Sequence, residues 1–101
     1  MVYTVYMSSQ TNMRHIIDVR TKDEFESGAV DGAINFPVED ILAGQMPEVA
    51  KESTIYVYCR SGGRSERAKD ELEARGFTHV TNIGGLVDAR EYMQNLQQSE
   101  Q

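Results

Sequence analysis

Thr54-Ile55-Tyr56-Val57-Tyr58-Cys59-Arg60-Ser61-Gly62-Gly63-Arg64-Ser65 is the stretch on which the fold of this chain turns. Its first five residues are all β-branched or aromatic, the composition of a β-strand. From Ser65 to Arg75 the pattern becomes helical, with Ala68 and Leu72 four residues apart on one face. Between strand and helix stand the chain's one cysteine and a run of small or basic residues. Strand, tight loop and helix in that order form the repeating unit of an α/β layer structure. In open sheets of that class, ligands sit beyond the carboxyl ends of the strands, where Cys59 falls.

The flanking sequence repeats the alternation. His15-Ile16-Ile17-Asp18-Val19-Arg20 reads as a strand with an apolar centre buried on both faces. Thr21-Lys22-Asp23-Glu24 is a capping-box pattern that opens a short helix ended by Gly28. Ile34-Asn35-Phe36 is a brief strand closed by Pro37. Val38 to Gly44 is read as a helical turn or two with Ile41 and Leu42 inward, and Met46 to Lys51 as another short helix. Past the long helix, Gly76 occupies the C′ position, where Phe77 can cover Leu72. Thr78 to Ile83 reads as a strand and Gly84-Gly85 as a turn. Leu86, Ala89, Tyr92, Met93 and Leu96 then make one helical stripe. Val2 to Tyr6 are β-formers and predict a short edge strand. The expectation is a mostly parallel central sheet with helices on both faces.

With 101 residues, 40 % apolar and 26 % charged, the chain has the composition of one globular domain. Residues 1–101 are read as that single domain, with a core about 15–97 and a frayed C-terminal tail. The net charge of −6 disfavours nucleic acid and anionic membranes as partners. No apolar run approaches the roughly 18 residues of a membrane span, and the first residues lack the basic start of a signal peptide. A single cysteine forms no internal disulfide, which fits a reducing, cytoplasmic location.

Charge is concentrated. Cys59 to Lys69 contains Arg60, Arg64, Arg67 and Lys69 against Glu66, a local +3 on a chain whose remainder carries −9. Such a basic island suits a small anion. Gly62 and Gly63 let the backbone curl, and successive N–H groups leading into a helix N-terminus make an anion site. The same field stabilises a thiolate, with cysteine pKa values falling from about 8.5 into the range of about 3.5–7.5 in such settings. Cys59 is therefore read as an activated nucleophile. A buried structural thiol would need no glycine-rich cationic loop.

Ile17-Asp18-Val19-Arg20, Phe25 with Gly28, Gly32-Ala33-Ile34-Asn35, Val57 to Ser65, Gly76-Phe77 and Asn82-Ile83-Gly84-Gly85 occur in the order and spacing found in rhodaneses. Over roughly residues 15 to 90 the chain resembles a single-domain rhodanese, a sulfurtransferase of rhodanese-like three-layer α/β fold. The resemblance implies that Cys59 takes a sulfane sulfur from thiosulfate or a similar small anionic donor. Cys59 then holds it as a persulfide and passes it to a thiol, protein thiols included, or to cyanide. It further implies that the amides of Arg60, Ser61, Gly62, Gly63, Arg64 and Ser65 cradle the terminal sulfur. Arg60 and Arg64 would attract the donor, and Asp18 and Arg20 form a buried polar pair that supports the loop. Neither a metal nor an organic cofactor is implied. The chain has Ala29-Val30-Asp31 where the family often has His-Ile-Pro, and it has no tryptophan after the paired glycines.

Two rival readings belong to other classes. Phosphatases related to this fold place five residues between cysteine and arginine; here four separate Cys59 from Arg64. A shorter loop encloses a smaller ring of amides, suited to one sulfur atom rather than a tetrahedral phosphate or arsenate. The other rival is a persulfide carrier or a redox- or partner-binding module with little turnover. His15 and His79 carry no motif and are read as surface or strand-end residues.

Overall fold

The computed structural model of the chain describes residues 13–99. Strands β1 (Arg14–Asp18), β2 (Ile34–Asn35), β3 (Thr54–Tyr58) and β4 (His79–Asn82) form one sheet in the order β2-β1-β3-β4. All three pairings are parallel. Helices α1 (Lys22–Glu26), α2 (Val38–Leu42), α3 (Gly63–Ala74) and α4 (Leu86–Ser99) alternate with the strands. The edge strand expected at Val2–Tyr6 lies outside the described residues.

Successive side chains of a strand point to opposite faces, and β3 shows what that does here. Ile55 and Val57 join a buried cluster with Val38 and Ile41 of α2 and Ala68 and Leu72 of α3. Tyr56 and Tyr58 join a second cluster with Ala89 of α4, against which Leu86, Met93 and Leu96 pack. The sheet is thus the middle of three layers. A side chain such as Leu72, fully buried between α3 and the sheet, would cost roughly 2–5 kcal/mol to truncate to alanine.

Local signals explain the helix ends. The Thr21 hydroxyl accepts the Glu24 N–H at 3.3 Å, and Glu24 Oε1 accepts the Thr21 N–H at 3.0 Å, the reciprocal capping box. At the end of α3 the N–H groups of Gly76 and Phe77 donate to the carbonyls of Glu73 and Leu72, each at 3.1 Å. This is the Schellman arrangement, with Phe77 packed in the same cluster as Leu72.

Two expectations fail. Residues 46–51 form bends and turns rather than a helix; Pro47 lacks an N–H and disfavours helical dihedrals at Met46. Leu42 is exposed while Ile41 is fully buried. Helix α2 aims Val38 and Ile41 inward, and one further residue turns about 100° round the axis. Helix α3 also begins at Gly63, two residues earlier than its sequence pattern indicated.

The register places polar groups along one edge. Asp18 lies level with Asn35 on one side and Tyr58 on the other, and Val57 lies level with Asn82. The chain steps outward from β1 to β2, then crosses back so that β3 and β4 lie on β1's other side. The carboxyl ends of β1 and β3 therefore flank a topological switch point, the expected place for a ligand.

Candidate active site

Cys59 leaves the end of β3 tied to the neighbouring turn, its N–H donating to the Gly84 carbonyl at 3.0 Å. The chain then folds over the sulfur. The Gly62 N–H donates to Cys59 Sγ at 3.0 Å, and the Ser65 hydroxyl lies 3.4 Å from it. Gly62 is the N-cap of α3 with φ +101°, a conformation that a side chain would strain. Gly85 allows a close approach instead, because a Cβ there would strike the Arg60 carbonyl. The sulfur thus faces the N-terminus of a twelve-residue helix, whose dipole favours negative charge.

Cys59 and Ser65 are fully buried, while Arg60, Ser61 and Gly63 are exposed above them. Burial pushes the thiol up, yet the Ser65 hydroxyl and the amides of Ser65, Ser61 and Gly62 together outweigh it. The net result is a Cys59 pKa below the ordinary cysteine value. Hydrogen bonds to the charged form are what favour the thiolate.

Behind the loop lies Asn82, at the end of β4. Its Oδ1 accepts from the Ser65 hydroxyl at 2.7 Å and from the Gly84 N–H at 3.0 Å. Its Nδ2 donates to the Gly62 carbonyl at 3.1 Å and to Glu66 Oε1 at 2.9 Å. One amide side chain therefore joins the loop, the Gly84-Gly85 turn and α3.

The basic residues part company. Arg64 forms a two-pronged pair with Glu24 at 2.7 and 3.0 Å, a partner that the sequence reading did not include. The Arg64 guanidinium and the Thr21 N–H together hold Glu24 down to about 2. Arg60 is exposed and has no carboxylate partner among the described residues. A depression of about 190 Å³ opens beside the loop, lined among others by Thr21, Lys22, Asp40 and Arg64.

Asp18 and Arg20 do pair, at 2.6 Å, with both side chains buried. Tyr58 completes the cluster: its hydroxyl donates to Asp18 Oδ2 at 2.7 Å and accepts the Val30 N–H at 3.0 Å. Burial and the bond to Asp18 push the Tyr58 phenol up to about 12, against the opposing pull of the Val30 N–H and Arg20, so it stays a donor. Arg20 also reaches the Gly28 carbonyl, and Asn35 Nδ2 bonds the carbonyls of Asp18 and Arg20.

Sequence reasoning missed Glu24, Tyr58, Asn35 and Asn82 as parts of this edge. The sequence marks Glu24 only as a helix cap, and in the fold it both caps α1 and pairs with Arg64. Asn82 had a weak signal: a polar residue at the end of a strand, separated by one residue from paired glycines. Among the described residues no group of three His, Cys, Asp or Glu side chains is placed to hold a metal ion. None of the helices there is long and apolar enough to cross a membrane.

The sequence matches the rhodanese-like domain family over residues 5–93. It is 42% identical over 77 residues to the thiosulfate sulfurtransferase PspE of Escherichia coli K12, covering 73% of this chain and 72% of that one. Thiosulfate sulfurtransferase 16, chloroplastic, of Arabidopsis thaliana is 38% identical over 84 residues, or 72% and 70% of the two chains. Among solved structures, a rhodanese with anions from E. coli aligns at TM-score 0.65 and 41% identity, over 74% of this chain and 89% of that one.

Proposed function

This chain belongs to the rhodanese-like domain family and is a sulfurtransferase, and from that premise we propose that Cys59 carries the sulfur as a persulfide. The observation that carries the reading is the environment of Cys59 Sγ, which receives the Gly62 N–H and faces the Ser65 hydroxyl at the start of α3. These groups stabilise negative charge on sulfur, whether on Cys59 itself or one atom further out.

In the first half-reaction the Cys59 thiolate attacks the outer sulfur of thiosulfate. A new S–S bond forms, the donor's S–S bond breaks, and sulfite leaves with the electron pair. In the second, an acceptor thiolate attacks the outer sulfur of the persulfide and releases the Cys59 thiolate. Charge and atoms balance in both halves, and no cofactor takes part. Arg60, exposed at the loop, draws in the anionic donor; Arg64 contributes to the extent that it leaves Glu24. Cys59 itself has no exposed surface, and the loop residues the donor meets first are the exposed Arg60, Ser61 and Gly63. Asp18, Arg20 and Tyr58 fix the end of β3 from which the loop departs. We place this chemistry in one domain and in a reducing cytoplasm, where a lone thiol stays available.

Two half-reactions through a covalent intermediate give ping-pong kinetics. Parallel lines in double-reciprocal plots for thiosulfate and a thiol acceptor are expected, with sulfite released before any acceptor is added. Sulfite release that required the acceptor would reject the covalent route.

A further inference from the structure

Ser65 is asked for one proton by three neighbours. Its hydroxyl lies 2.7 Å from Asn82 Oδ1, 3.1 Å from the Gly62 carbonyl and 3.4 Å from Cys59 Sγ. The two oxygens can only accept. The assignment of the Asn82 amide is fixed by its surroundings, since the Gly84 N–H must meet an oxygen and the Gly62 carbonyl must meet an NH₂. All four hydrogen-bonding positions of that amide are filled, so it does not turn to suit Ser65.

We propose that Asn82 is a positioning residue for sulfur transfer: by accepting the Ser65 proton it turns that hydroxyl away from Cys59, and it gives the hydroxyl up when the sulfur becomes anionic. In the resting site the thiol S–H donates to Ser65 Oγ, and Ser65 donates to Asn82. When the thiol proton passes to solvent, the Ser65 hydroxyl rotates and donates to the thiolate. No covalent bond of Ser65 or Asn82 changes. Asn82 thereby opposes ionisation of Cys59 through Ser65 while its Nδ2 holds Gly62 in place to support it. Other charges near this cluster are Arg64 and Glu66 on α3, Arg60 in the loop and Asp88 beside Gly84. The Asp18–Arg20 pair lies with Tyr58 at the opposite face of β3.

The inference rests on Cys59 being the reacting thiol, and its test reads that thiol directly rather than sulfur transfer. The rate of Cys59 alkylation by iodoacetamide, followed against pH, would be measured in four proteins: wild type, Ser65→Ala, Asn82→Ala and the double variant. Ser65→Ala should slow alkylation at a fixed pH below the midpoint. Asn82→Ala should be faster relative to its own Ser65 background than the double variant is relative to Ser65→Ala, by roughly three- to tenfold, the size of one neutral hydrogen bond. Asn82→Asp sets a carboxylate oxygen against the Gly62 carbonyl and Glu66, a repulsion that is the same with and without Ser65 and cancels in the cycle. As the stronger acceptor of the Ser65 proton, it should give a Ser65-dependent change of the opposite sign. If Asn82→Ala does not fold, the Asn82→Asp cycle decides alone. Changes that are the same with and without Ser65, or of one sign for both substitutions, would overturn the proposal. Failure of thiosulfate turnover would leave these measurements unaffected.

Discussion

Two polar clusters share the carboxyl edge of one sheet and treat charge in opposite ways. Around Asp18, Arg20 and Tyr58, full charges face each other at 2.6 Å in the buried interior. Around Cys59, the groups that meet the sulfur are neutral: an amide N–H and a hydroxyl. Arg64, in the first turn of α3, is paired with Glu24. A fixed ion pair suits a scaffold, because neither partner can leave without stranding a buried charge. Neutral dipoles suit a sulfur that must alternate between thiol, thiolate and persulfide, because they stabilise the anion without locking it in an ion pair. The difference explains why two clusters one residue apart on β3 can serve structure and chemistry separately.

The comparison can be broken at several points, and the largest effect is expected at the sulfur. Cys59→Ser should abolish sulfur transfer while leaving the circular dichroism spectrum and melting temperature near wild type; residual turnover would mean the carrier is elsewhere. In the other cluster the loss should be one of stability. Asp18→Ala leaves Arg20 and the Tyr58 hydroxyl without their acceptor, and urea unfolding should show a loss of roughly 3–5 kcal/mol. A variant that stays as stable as wild type but loses turnover would put Asp18 in the chemistry and erase the division drawn above.

Between these lies Glu24. Glu24→Gln should release Arg64 toward the donor and lower the KM for thiosulfate by up to about fivefold, the range of a partly exposed pair. Its stability effect has a pH signature. The Glu24 carboxyl is held at about 2 in the fold against an ordinary 4.5. The stabilisation is therefore complete above the ordinary value and disappears as pH falls through about 2. Unfolding of wild type and Glu24→Gln should differ at pH 6 and converge near pH 2. A constant gap would show that the pair does not titrate as described. The smallest effect belongs to Arg67, exposed on α3: Arg67→Ala should leave KM unchanged, whereas Arg64→Ala should raise it. Equal effects would mean that general charge, not placement, attracts the donor.

Much of this was legible in the sequence because it rests on local rules. The β-rich run at Thr54–Tyr58, the Thr21–Glu24 cap and the Gly76-Phe77 helix end each depend on neighbours within a few residues, and all appear as read. Leu42 departs from its inward reading because so short a helix gives too few turns to fix its buried face. The segment 46–51 departs from the helical reading because Pro47 lacks an N–H and disfavours helical dihedrals at Met46. At the site, Cys59 and its glycines announce themselves by composition. Glu24, Tyr58 and Asn82 do not, since their roles arise from contacts spanning 17 to 40 residues along the chain. Parallel pairing of β1, β3 and β4 creates those contacts, and apart from the weak signal at Asn82 no local pattern records them.

The central claim is that Cys59 holds one transferable sulfur. Intact-mass measurement after incubation with thiosulfate tests it most directly. The account predicts a gain of one sulfur atom per chain, absent in Cys59→Ser and reversed by a reducing thiol. An unchanged mass in the wild-type protein, or a gain that persists in Cys59→Ser, would contradict it.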